Sequence, residues 1–74
     1  MKNEIIDLIA KTLGISKKKI NEKTNLVADL DVESLDLVSL VVAFEEKYGI
    51  EIPDQDIKNL QTVDDIVKYI ESHV

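Results

Sequence analysis

The sequence predicts an all-α fold, a bundle of three longer helices and one short third helix with a long first loop, from three observations. Apolar residues recur at helical spacing in three stretches, Gly14, Gly49 and Pro53 punctuate the chain between them, and the longest of these stretches, from Ser34 to Gly49, holds no Pro or internal Gly. Seventy-four residues suffice for one domain, expected to span residues 1–74, with a total stability of about 4–11 kcal/mol. Only Phe44, Tyr48 and Tyr69 are aromatic, so the core of this 45% hydrophobic chain has to be built from Ile, Leu and Val.

In the first helix, expected over residues 4–13, Asn3 is placed to cap and Ile5, Ile6, Ile9 and Leu13 share a face, with Gly14 suited to a left-handed end. From Ile15 to Asp31 the periodicity fails. The isolated apolar residues Ile15, Ile20, Leu26, Val27 and Leu30 are the expected pins of this loop. A second helix runs from Ser34 to Gly49 without Pro or internal Gly, and Asp54 to Leu60, after Pro53, has room for one or two turns. Thr62 heads a last helix in which Val63, Ile66, Val67 and Ile70 form one stripe and Asp64 and Asp65 favour the positive end of the helix dipole.

Nine Lys and Arg against fifteen Asp and Glu give a net charge of −6. A phosphate backbone is repelled by such a chain, which excludes nucleic acid and favours partners with basic patches. Without cysteine there is neither a disulfide nor a thiolate metal site. The start shows no signal-peptide apolar region, and the longest apolar run, Leu40 to Phe44, cannot span a bilayer, so cytoplasmic residence and a monomer are the expectations.

At roughly 100° per residue, Leu37, Leu40, Val41, Phe44 and Tyr48 gather on the core side of the second helix. Leu35 and Val42 point the other way, in a stripe with Ser39 and Glu46 and beside Glu45. Exposed apolar residues are common, yet a pair rimmed by Asp36, Glu45 and Glu46 suits a basic groove with an apolar centre on a partner. Ser34 opens this helix, where first-turn amides and the helix dipole stabilise a negative group such as a phosphoester. Serine is also a preferred N-cap, which by itself accounts for its position.

Self-contained catalysis is not expected: a nucleophilic serine needs a base, and the only histidine, His73, lies beside the C-terminus. Asp29, Asp31 and Glu33 alternate as in a calcium loop, but Ser34 stands where that loop needs Gly and Leu40 where it needs Glu, so no metal site is assigned.

The chain resembles the acyl carrier protein family through Leu26-Val27-Ala28-Asp29-Leu30, Glu33-Ser34-Leu35-Asp36, Glu45-Glu46, Ile50-Glu51-Ile52-Pro53-Asp54, and the closing Thr62-Val63 and Tyr69-Ile70. The resemblance covers essentially the whole chain. It implies a four-helix bundle in which Ser34 receives phosphopantetheine from coenzyme A through a phosphopantetheinyl transferase. Acyl groups would then ride as thioesters on the arm, with the second helix docking onto fatty acid or polyketide synthesis enzymes. It further implies docking through Leu35, Asp36, Val42, Glu45 and Glu46, and Val38, Phe44, Leu60 and Ile66 are the expected lining of an acyl pocket.

The chain departs from the family's Gly-x-Asp-Ser with Asp31-Val32-Glu33-Ser34, and Ser39 replaces a usual Glu. Glu33 keeps open an unmodified interaction domain of the same fold, and a carrier of aminoacyl or peptidyl cargo is a further alternative.

Overall fold

A computed structural model describes all residues from Met1 to Val74. Four α-helices form in the expected order: α1 Lys2–Leu13, α2 Ser34–Tyr48, α3 Asp54–Ile57 and α4 Val63–His73. A 3-10 turn, Lys17–Lys19, follows α1. Three residues carry no periodic signal, so this turn was not predictable from apolar spacing.

Helix α1 starts earlier than Asn3 capping would have it. The Ile5 amide donates to the Met1 carbonyl at 3.1 Å, and Lys2 Nζ reaches Glu22 Oε2 at 3.1 Å. An added backbone hydrogen bond thus replaces the side-chain cap, and Asn3 lies inside the first turn. The helix ends at Gly14 with φ 69°, its N–H on Ala10 O, and α2 ends likewise at Gly49 with φ 65°, its N–H on Glu45 O. A Cβ at either glycine would meet nothing within 4 Å, so backbone conformation and not space demands glycine there.

One apolar core joins the elements. Ile5 and Ile9 of α1, Leu40, Val41 and Phe44 of α2, and Val63, Ile66, Val67 and Ile70 of α4 are buried together. Burying each large side chain contributes about 1.5–3 kcal/mol. Leu37 and Tyr48, at the margins of the α2 stripe, are half-buried against this cluster. The Tyr48 hydroxyl is buried without a hydrogen-bond partner.

The long first loop is pinned by Ile20, Leu26 and Val32. Val27 departs from expectation and stands 58% exposed. Its amide and that of Ala28 both donate to Asn25 Oδ1, at 3.0 and 2.9 Å, forming a turn in which Leu26 faces inward and Val27 outward. Backbone hydrogen bonds then tie the loop to the entry of α4: Leu26 N to Gln61 O at 2.8 Å, Val63 N to Thr24 O at 3.1 Å, and Asp64 N to Glu22 O at 2.9 Å.

Segment α3 makes one turn, the lower end of the expected one or two. Past Ile57 the chain continues in tighter bonds, Asn59 N to Asp56 O and Leu60 N to Ile57 O, both 3.0 Å. Helix α4 opens on a reciprocal cap: Thr62 Oγ1 accepts from Asp65 N at 3.1 Å while Asp65 Oδ2 accepts from Thr62 N at 3.2 Å. Thr62→Ala removes half of this box and should cost about 1 kcal/mol. In a domain this small that lowers Tm by about 4–8 °C, which thermal denaturation followed by circular dichroism will read.

Candidate functional site

The site starts where the loop hands over to α2. Asp31 takes a left-handed conformation, φ 54°, which aspartate tolerates better than most residues. Val32 turns inward and donates its N–H to Leu26 O at 3.0 Å, fixing the loop's exit. Glu33 then occupies the cap position with φ −86° and ψ 168°, but its carboxylate bonds no helix amide. A glutamate carboxylate sits one methylene further out than an aspartate's, and the geometry of a cap rewards the shorter side chain.

Ser34 is therefore the first helical residue and not the cap. Its side chain is exposed, and its hydroxyl makes no hydrogen bond within the chain. The first internal bond of α2 runs from Leu37 N to Glu33 O at 2.9 Å, which leaves the amides of Ser34, Leu35 and Asp36 without an acceptor from the protein. A free hydroxyl thus stands at the positive end of a fifteen-residue helix.

The outer face of α2 carries Leu35, 80% exposed, and Val42, 44% exposed, with Asp36 and Glu46 beside them. Val38, 53% exposed, belongs to this same face at i+3 from Leu35, away from the interior where an acyl pocket was expected to hold it. Ser39 donates to Leu35 O at 3.1 Å. Glu45 is half-buried, and its Oε2 accepts the Ile52 amide at 2.8 Å, holding the stretch that leads into α3.

On the inner side, a groove of about 430 Å³ opens between the loop, α2 and the α3 segment, within the size range of small-molecule sites. Asn25, Val27, Ala28, Leu37, Ile57, Lys58, Leu60 and Gln61 line it. Of the four expected lining residues only Leu60 borders this groove; Phe44 and Ile66 are sealed in the core. Counting around one helix could not reveal walls supplied by a loop and by α3. Leu37, three residues beyond Ser34, begins the groove about 4.5 Å further along the helix axis.

Tyr69 of α4 donates its hydroxyl to Asp56 Oδ2 at 2.8 Å and so anchors α3. Its ring stacks on His73 at 4.1 Å, and His73 Nδ1 lies 2.7 Å from Tyr69 O and 3.0 Å from Ser72 Oγ. The only histidine is thus occupied on the last turn of α4.

The family model for the phosphopantetheine attachment site matches residues 3–70. The chain belongs to the acyl carrier protein family. It is 45% identical to the acyl carrier protein of Lactobacillus acidophilus over 71 residues, covering 96% of this chain and 89% of that one. It is 46% identical to that of Syntrophobacter fumaroxidans over 70 residues, covering 95% and 86%. The solution structure of an Anaplasma phagocytophilum chain assigned as an acyl carrier protein superimposes with a TM-score of 0.87 at 36% identity, covering 96% of this chain and 84% of that one. As a member of this family the chain has an acyl carrier role with phosphopantetheine as cofactor. Members are carriers rather than catalysts, modified by a transferase and working with synthesis enzymes. No helix is long and apolar enough to cross a membrane.

The residues present fit the cofactor: an exposed, unbonded hydroxyl followed by unbonded first-turn amides suits a phosphodiester. Glu33→Asp should let a shorter carboxylate reach those amides, raising stability by about 0.5–1 kcal/mol at neutral pH, with the gain lost in acid as that carboxylate protonates. Urea denaturation at the two pH values checks both statements.

The tyrosines set the alkaline limit. Burial of the Tyr69 ring, then its hydrogen bond to Asp56 and the charges of Asp56 and Glu45, raise its phenol above the ordinary value. Burial first, then Glu4, raises Tyr48. With both folded values raised, the unfolded chain ionises first, near pH 10. Stability should be fully retained below that pH and fall as pH rises through the folded values. A Tyr48→Phe/Tyr69→Phe double variant should show a shallower decline in denaturant titrations across this range.

Proposed function

We propose that Ser34 Oγ is the attachment point of the phosphopantetheine arm, that the outer face of α2 docks partner enzymes, and that the inner groove shelters the cargo. The observation that supports the first statement most is that Glu33, and not Ser34, takes the cap position. Ser34 therefore keeps its hydroxyl free. When bound, the arm supplies a terminal thiol on which an acyl group is carried as a thioester.

The protein's own residues do the remainder. The first-turn amides and the dipole of α2 favour the charge added at Ser34. Leu35, Val38 and Val42 offer an apolar centre, and Asp36 and Glu46 an acidic rim, to basic patches on a phosphopantetheinyl transferase and on fatty acid or polyketide synthesis enzymes; the charges act chiefly on association rate. Glu45 serves this surface indirectly, by holding Ile52. Leu37, Ile57 and Leu60 give an acyl chain an apolar wall. The chain acts as a carrier in the cytoplasm and not as an enzyme, since no general base accompanies Ser34.

The test is intact mass after incubation with coenzyme A, magnesium and a broad-specificity phosphopantetheinyl transferase. A phosphopantetheine-sized gain is expected for the wild type and none for Ser34→Ala. A folded wild-type protein that gains nothing with several transferases overturns the attachment and leaves an unmodified interaction domain.

A further inference from the structure

Three polar side chains that line the inner groove, Asn25, Lys58 and Gln61, keep donors that the fold does not use. Lys58 enters no ion pair, whereas Lys68 pairs with Asp64 at 3.2 Å and Lys47 lies over the Tyr48 ring at 5.8 Å. These three are the only lysines after residue 23, in a stretch that holds twelve acidic residues. Of these three, Lys58 alone neither pairs with an acid nor lies over a ring, and it lines the groove. Two carboxamides accompany it. Gln61 contributes only its backbone carbonyl, to Leu26 N, and Asn25 commits its Oδ1 to the Val27 and Ala28 amides, which leaves both side-chain amino groups free to donate.

An apolar slot edged by an ammonium and two amide donors is matched to a ligand that is aliphatic along its length and carries acceptor oxygens at its end. We propose that this groove selects acyl groups bearing a distal carboxylate, the half-acids of dicarboxylates, over unsubstituted chains. Leu37, Ile57 and Leu60 contact the methylenes, Lys58 pairs with the carboxylate, and Asn25 and Gln61 donate to its oxygens. This rests on the reading that cargo attached through Ser34 enters this groove. Solvent exposure of Lys58 makes the preference moderate and salt-sensitive.

The experiment loads the protein enzymatically from two coenzyme A ladders matched in chain length, one plain and one with a terminal carboxylate, with loading verified by mass. Thioester hydrolysis is then timed, each rate divided by that of the same thioester on free pantetheine. At the best-fitting length the carboxylated cargo should hydrolyse roughly two- to fivefold more slowly than its plain counterpart in the wild type. Lys58→Gln should bring the two to parity and Lys58→Glu should reverse the order, while plain chains stay equally protected in all three proteins. Parity in the wild type at every length, or a preference that survives Lys58→Gln, overturns the proposal. Loaded plain chains that gain no protection refute the groove as cargo site, and failure to load Ser34 at all refutes the attachment as well.

Discussion

The tie between the long first loop and the entry to α4 is the constraint on which the remainder of the structure depends. Seventeen residues without periodicity would otherwise be a liability in a domain with one core. Here Leu26 is sealed inside while its N–H is satisfied by Gln61 O, and Thr24 and Glu22 accept the amides of Val63 and Asp64. Those same amides belong to the beginning of α4, so one set of hydrogen bonds closes the loop and completes a helix N-terminus. From Leu26 the path to the site is short: its carbonyl accepts Val32 N–H, Val32 is buried, and Ser34 follows two residues later. The position of Ser34 is thus set by core burial transmitted through a pinned loop.

Charge is partitioned along the chain as well as in excess. The first 23 residues hold six lysines and three acids; the remaining residues hold three lysines and twelve acids. Helix α2, the loop before it, the α3 segment and α4 therefore all fall in the acidic part of the chain. A basic patch on a partner would be drawn toward these acids, which flank Ser34 in sequence. Orientation during encounter follows from the same asymmetry, at a cost in self-repulsion that the apolar core has to offset.

Much of this was legible in the sequence because the signals were periodic or punctuated. All five α2 core-side positions followed from spacing, as did Gly14, Gly49, Thr62 and the α4 stripe; of the five, Leu40, Val41 and Phe44 are sealed inside while Leu37 and Tyr48 are half-buried at the margins. Side chains whose roles depend on tertiary partners were not legible. Val27 and Leu26 are adjacent and equally apolar, and only the Asn25 turn decides which one faces inward. Glu45 looks like a surface acid until Ile52 is folded beneath it. Val38 sits near the boundary between the two faces of α2, and the groove that would have claimed it is walled by Leu37 and α3 instead.

The two departures before Ser34 are linked by their energetics. Asp31 holds a left-handed backbone that glycine would adopt without strain, and Glu33 occupies a cap it does not fill, so both weaken the start of α2 as a structural element. Val32 between them, buried and hydrogen-bonded to the loop, still holds the approach to Ser34. An aspartate cap would engage an amide of the same first turn that favours a phosphodiester, whereas the longer Glu33 leaves those amides open. The helix start is therefore less stable than glycine and an aspartate cap would make it, and its positive end is correspondingly more available. In a domain with about 4–11 kcal/mol in total, such a concession is tolerable only where the loop is pinned as firmly as Leu26 and Val32 pin it.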